Sequence, residues 1–98
     1  MNFRFLNLLN HHENFRILFM VIDMDRLQIA KYENLGLNIS YYRRKRKFTQ
    51  EQLAEMVGIE PNHMSNIELA KVGASLDVVF DIADALDVPV HRLFEFRD

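Results

Sequence analysis

The sequence has no cysteine and no tryptophan, and only three glycines and two prolines in 98 residues. The missing cysteine excludes disulfides, thiolate zinc sites, iron–sulfur ligation and a thiol nucleophile, and it suits the reducing cytosol. Gly36, Gly58 and Gly73, with Pro61 and Pro89, are too few for a turn-rich β-sandwich, a Walker loop or a G-x-G-x-x-G turn. Long apolar runs are lacking as well. The most apolar stretch, residues 15–22, carries Arg16 and is too short to span a bilayer, so no membrane association is expected. It also lacks the basic start and small-residue cleavage site of a signal peptide. What is present is a globular balance, 49% hydrophobic and 27% charged, enough for one domain with a modest core. The expectation is a small, cytoplasmic, all-α protein without cofactor or metal.

The net charge of −2 hides an uneven distribution. Residues 1–34 hold four basic and four acidic side chains, residues 35–71 six and four, and residues 72–98 two and six. The middle is therefore positive and the tail acidic. The basic side chains of the middle are Arg43, Arg44, Lys45, Arg46, Lys47 and Lys71. A charge run by itself usually only solvates a face.

Residues 1–23 contain four Asn, four Phe and four Leu but no Ala, Gly, Ser, Thr, Lys or Pro. Their pattern fits an amphipathic helix or a strand, and periodicity does not choose. A third reading takes Met24 as the natural start. The mass of the natively expressed protein tests it, and a terminus at Met1 would refute it. If the segment is retained, its apolar window at 17–22 has to be covered. His11-His12-Glu13 lacks H-E-x-x-H spacing, so no metal is expected there. His63 and His91 read as surface residues. Ser40, Ser65 and Ser75 lack a nucleophile elbow, and no enzyme is expected.

From Leu35 onward the punctuation becomes regular. Leu35, Ile39 and Tyr42 recur at helical spacing, and that run ends near Lys47. Thr49-Gln50-Glu51-Gln52 reads as a capping box. Leu53, Ala54 and Val57 form an inward stripe, and Gly58 supplies a left-handed residue to stop the second helix. Pro61 suits the first turn of a third helix. Ser75 caps a fourth, with Leu76, Val79, Ile82, Ala83 and Leu86 inward, and a short fifth carries Leu93 and Phe94. Five helices with short connections predict a compact domain over residues 35–98, preceded by an extension over 1–34.

A helix, a tight turn at Gly58 and a helix opened by Pro61 make a helix-turn-helix over residues 49–68. At about 100° per residue, Met64, Ile67 and Glu68 cluster on one side of the third helix. Asn62, Asn66 and Leu69 occupy the other, flanked by Ser65 and His63. Asn can pair with the N6/N7 edge of adenine, and Leu69 can meet a thymine methyl. Asn and Ser can equally do no more than solvate an exposed face. The basic run could serve DNA, RNA or an acidic partner, although no aromatic platform for single strands accompanies it.

The sequence resembles the phage-repressor/Cro family of helix-turn-helix regulators. The resemblance rests on Ile39-x-x-Tyr42-Arg43, Phe48-Thr49-Gln50-x-x-Leu53-Ala54, Val57-Gly58-Ile59, Met64-x-x-Ile67-Glu68, Ser75-Leu76, Ile82-Ala83-x-x-Leu86-x-Val88 and Leu93-Phe94. It covers residues 35–95 and nothing before them. It implies a sequence-specific regulator of transcription, a repressor, bound to double-stranded DNA as a homodimer on a palindromic operator. The base-reading positions it implies are Pro61, Asn62, Ser65 and Asn66. Gln50 falls on the phosphate position at the start of the second helix, where free N–H groups favour an anion. Lys47, Lys71, Arg44 and Arg46 are the further phosphate candidates. The resemblance also implies an Arg43–Glu68 ion pair between the first and third helices. It suggests a dimer surface on the last two helices, with Val78, Val90, Phe94 and Phe96 as candidates; residues 15–22 offer a second contact.

Where the family has Gly, this chain has Lys47 and Ala70, and it has Ala74 where Pro is common. A positive φ is therefore expected at Lys47, at about 1 kcal/mol, and Gly73 is expected to take over the cap after the third helix. No ligand-binding segment is apparent, so no small-molecule effector is expected. A reading from another class is an antitoxin-like or scaffold module that uses the same fold to bind protein through the acidic tail. A steep salt dependence of DNA binding separates the two.

Overall fold

The computed structural model describes the backbone of residues 14–96 and the side chains of residues 26–96. His11-His12-Glu13 and the side chains of residues 15–22 lie outside the described residues. The chain divides into two compact units, Met1–Ala30 and Lys31–Asp98. The described backbone of the first is helical. Among the described residues, the hydrophobic core lies in the second.

Helix α1 is Asn14–Lys45, so helix formation begins well upstream of Leu35, and the choice between helix and strand falls to helix from residue 14. Within the second unit α1 buries Leu35 and Ile39. Helix α2, Gln50–Val57, opens with the expected capping box. The Gln52 N–H donates to Thr49 Oγ1 at 3.0 Å, and the Thr49 N–H donates to Gln52 Oε1 at 2.9 Å. Two N–H groups that an α-helix leaves unpaired are thus satisfied reciprocally. Helix α3, Pro61–Glu68, has Pro at its first position, where the missing N–H has no intrahelical partner to lose. Helix α4, Leu76–Leu86, is capped by Ser75, whose hydroxyl accepts from the Val78 N–H at 3.2 Å.

Leu53 and Ala54 of α2, Met64 and Ile67 of α3, and Val79, Ile82, Ala83 and Leu86 of α4 close on α1 and Leu93 to form one core. Leu76 departs from expectation and is 63% exposed. At about 100° per residue it sits at the edge of the arc defined by Val79, Ile82, Ala83 and Leu86, in the first turn of α4.

The fifth element is also corrected. Val90–Phe94 is a 3-10 helix, giving four α-helices and one 3-10 turn among the described residues. Pro89 supplies no N–H, and five residues complete little α-helical bonding, so the tighter i→i+3 pattern prevails. Its Leu93 is fully buried. Asn38, one turn after Leu35 on the same face of α1, is 4% exposed and donates through Nδ2 to Leu93 O at 2.9 Å and Glu95 O at 2.7 Å. Buried carbonyls need such partners, and Asn38 thereby holds the C-terminal segment against α1.

Three helices end on non-glycine residues with positive φ: Lys47 at 60°, Ala70 at 57° and Asp87 at 56°. Lys47 adopts the conformation expected of it. Gly73 does not take over the cap after α3, because the chain reverses sooner. The Ala70 N–H bonds Ile67 O at 3.1 Å and the Lys71 N–H bonds Asn66 O at 2.9 Å, which puts the left-handed residue at 70. Glycine lacks the Cβ that strains this conformation. Ala70→Gly should therefore raise the unfolding midpoint, by up to about 1 kcal/mol or a few degrees. A lower midpoint in thermal unfolding would refute this.

Candidate nucleic-acid interface

The turn between α2 and α3 is set by one residue. Gly58 takes φ 82°, and its N–H bonds Ala54 O at 2.8 Å and Glu55 O at 3.2 Å. The Ile59 N–H adds a bond to the same Ala54 carbonyl at 3.0 Å, so two of the last carbonyls of α2 are satisfied within the turn. Glu60 is extended, at φ −68° and ψ 145°, and Pro61 starts α3 at once.

Met64, Ile67 and Glu68 face inward and are buried. Pro61, Asn62 and Leu69 are exposed, and His63, Ser65 and Asn66 are half-buried. Glu60, Pro61, Asn62, His63 and Asn66 line an open concavity of about 490 Å³ at the start of α3. Among the described residues, the side chains of Asn62, Ser65 and Asn66 form no intramolecular hydrogen bond, so their donors and acceptors are unspent.

The inner face of α3 is fixed by charge as well as packing. Arg43 donates from Nε to Glu68 Oε2 at 2.8 Å and from Nη2 to Glu68 Oε1 at 3.0 Å, a bidentate pair between α1 and α3. Both side chains are nearly buried, at 9% and 4% exposure. Arg43 Nη1 also donates to Phe48 O at 2.8 Å, tying down the loop between α1 and α2. Gln50 joins the group, its Nε2 donating to Glu68 Oε1 at 3.2 Å. The start of α2 and the last residue of α3 thus share one carboxylate, and charge-assisted bonds of this kind are the stronger ones.

The basic run divides by facing. Arg44, Lys45 and Lys47 are exposed, as is Lys71 beyond α3. Lys45 Nζ lies 5.9 Å from the centre of the Tyr41 ring. Arg46 is turned elsewhere: Nε donates to Leu86 O at 2.9 Å and Nη2 to Asp87 O at 3.2 Å. Its guanidinium caps the C-terminal end of α4, where the helix dipole favours a cation. Sequence reasoning missed this use of Arg46 and that of Asn38. The available signal was that both fall on the α1 arc of Leu35, Ile39 and Tyr42.

Of the candidates for a dimer surface, Val78 and Val90 are half-buried against the core, whereas Phe94 and Phe96 are exposed. Leu76 and Phe80, one turn apart on α4, are exposed too.

A helix-turn-helix family model matches residues 39–93, more than half of the chain and the whole span from Ile39 to Leu93. The chain belongs to this helix-turn-helix family, of the phage-repressor/Cro type. An uncharacterised HTH-type transcriptional regulator of Methanocaldococcus jannaschii is 33% identical over 60 residues, which is 61% of this chain and 91% of that protein. Among solved structures, the restriction-modification controller protein C.AhdI from Aeromonas hydrophila matches with a TM-score of 0.64 and 26% identity, over 66% of this chain and 98% of that one. The clp gene regulator ClgR from Corynebacterium glutamicum shares the fold, with a TM-score of 0.62 at 24% identity over 63% of this chain and 66% of its own. The helix-turn-helix family relatives are regulators. No helix among the described residues is long and apolar enough to cross a membrane.

Proposed function

We propose that this helix-turn-helix protein is a sequence-specific DNA-binding regulator of transcription, a repressor that binds a palindromic operator as a homodimer. The observation that carries the reading is the two-sided character of α3. Its inner face is locked by Met64, Ile67 and the Arg43–Glu68 pair, while its outer face offers the unspent amides of Asn62 and Asn66. A rigid helix with free hydrogen-bonding groups on its outer face is what reading a major groove requires. Asn62, Ser65 and Asn66 read base edges. Leu69 and Pro61 give apolar contact, and His63 adds a flanking polar group. Gln50, at the start of α2, meets a phosphate, with Lys47, Lys71 and Arg44 as further phosphate contacts. Arg46 contributes to the field more than to a direct contact.

One such helix spans only a few base pairs, so useful specificity needs two half-sites about one helical turn apart. Phe94 and Phe96, exposed beyond α4, with the half-buried Val78 and Val90, form the surface on which a second copy docks. Selection of bound duplexes from a random pool, with the solution mass measured in parallel, tests the reading. A two-fold motif and a dimer mass are expected. No enrichment, with salt-insensitive binding to protein alone, would replace it by the protein-interaction module.

The roles also separate by mutation. Asn66→Ala should cost about 1–3 kcal/mol at the best site and relax preference at one base-pair position. Lys71→Ala should weaken all duplexes alike and flatten the salt slope by about one unit. Identical behaviour of the two variants on specific and random duplexes would show that α3 is not the reader.

A further inference from the structure

We infer that Glu60 is a specificity-determining residue that selects a cytosine at one position of each half-site; this rests on the DNA-binding reading above. Glu60 stands at the N-cap of α3, the position where a side-chain oxygen ordinarily accepts from the first N–H groups of the helix. It does not do so here: no side-chain capping bond is made. Glu60 is exposed, and its carboxylate forms no hydrogen bond or ion pair among the described residues. It lines the same concavity as Asn62, His63 and Asn66. A negative group that neither caps its helix nor pairs with a cation therefore sits on the surface offered to DNA.

Its chemistry narrows what it can meet. A carboxylate only accepts hydrogen bonds, and phosphates repel it. In the major groove, guanine presents the acceptors N7 and O6, and thymine presents O4 and a methyl group. Both are unfavourable neighbours for an oxyanion. Adenine offers its N6 amino group beside the N7 acceptor, which repels the second carboxylate oxygen. Cytosine offers its N4 amino group with C5–H, not an acceptor, beside it on its own ring, the guanine O6 lying across the pair, and Glu or Asp accepting from that group is the matching pair. Glu60 thus acts by exclusion as well as attraction, since at any other base its charge enters the groove uncompensated. Asn62 and Asn66, which both donate and accept, cannot discriminate in this way.

The experiment is duplex selection from a random pool with the wild-type chain, Glu60→Gln and Glu60→Ala. Affinities are then measured on the wild-type consensus and on duplexes changed at the one differing position. The wild type should enrich cytosine there, with a penalty of about 5- to 150-fold for another base. Glu60→Gln should lose that preference and favour adenine, which pairs with a glutamine amide in bidentate fashion. Glu60→Ala should lose it without replacement, and the other positions should stay as in the wild type. Thermal unfolding checks that each variant folds; if one does not, the other carries the comparison. Wild-type and variant motifs that coincide, or a differing position at which the wild type does not prefer cytosine, would overturn the inference and leave the DNA-binding reading intact. No enrichment by the wild type would overturn both.

Discussion

Arg43→Ala should lower the unfolding midpoint of the free protein by roughly 12–40 °C, whereas Arg44→Ala should leave it nearly unchanged. The two residues are adjacent in a basic run and alike in type, so only their surroundings can separate them. Arg43 donates three hydrogen bonds, two to Glu68 and one to Phe48 O, from a nearly buried position. Its removal leaves the Glu68 carboxylate buried with Gln50 as its remaining partner. A buried charge stranded in this way costs about 3–5 kcal/mol. That is a large share of the 5–15 kcal/mol typical of a whole domain, and at about 4–8 °C per kcal/mol it gives the midpoint shift above. Arg44 is exposed, and a surface change of its kind stays within about 0.5 kcal/mol. The double replacement Arg43→Met with Glu68→Leu should recover much of the loss, because an apolar pair strands no charge. Equal and small losses in Arg43→Ala and Arg44→Ala would show that Arg43 is only a surface cation.

The contrast between these two arginines marks how far the sequence was legible. Several helix ends were readable because their causes are local, although the reversal after α3 fell at Ala70 and not at Gly73. Thr49 with Gln52, Gly58, Pro61 and Ser75 each act on backbone within four residues, and each does so as expected. The inward faces of α2 and α3 followed from periodicity alone. What stayed illegible depends on groups far away in the chain. Asn38 answers carbonyls 55 and 57 residues on, and Arg46 answers one 40 residues on. No pattern within a helix names such partners, although facing places Asn38 and Arg46 on the arc of Leu35, Ile39 and Tyr42, where Asn38 is buried and Arg46 stays exposed. Leu76 illustrates the converse: a stripe read by residue type alone runs one turn too far, because burial depends on what lies opposite. On the candidate interface, sequence reasoning located the outer face of α3 but passed over Glu60, whose carboxylate is exposed beside it. The resemblance directs attention to the helix itself, and Glu60 stands one residue before it.

Gly36→Ala should destabilise the protein, although alanine is the better helix former. In an isolated helix the exchange would gain about 1 kcal/mol. Here Gly36 is buried where α1 meets the end of α3. A Cβ built on it would collide with the Glu68 carbonyl oxygen and lie 2.8 Å from both Glu68 C and Ile67 O. Those are backbone atoms in the last turn of a helix, so no rotamer change can relieve the overlap. Either α1 must move off α3 or the end of α3 must unwind. Overpacking of this kind costs about 1–3 kcal/mol and more where backbone has to give, so a net loss of about 2–3 kcal/mol is expected once the gain in helix propensity is set against it. Gly36 and Arg43 lie seven residues apart, two turns along one face of α1, and both meet Glu68, one at its backbone and the other at its carboxylate. A shift of α1 away from α3 therefore also lengthens the ion pair. The effects of Gly36→Ala and Arg43→Ala should consequently fall short of adding, by about 1 kcal/mol or more, because each disturbs the same junction. Denaturant titration of the single and double variants measures this. A Gly36→Ala protein as stable as the wild type, or more so, would show that α1 does not press on α3 at that point.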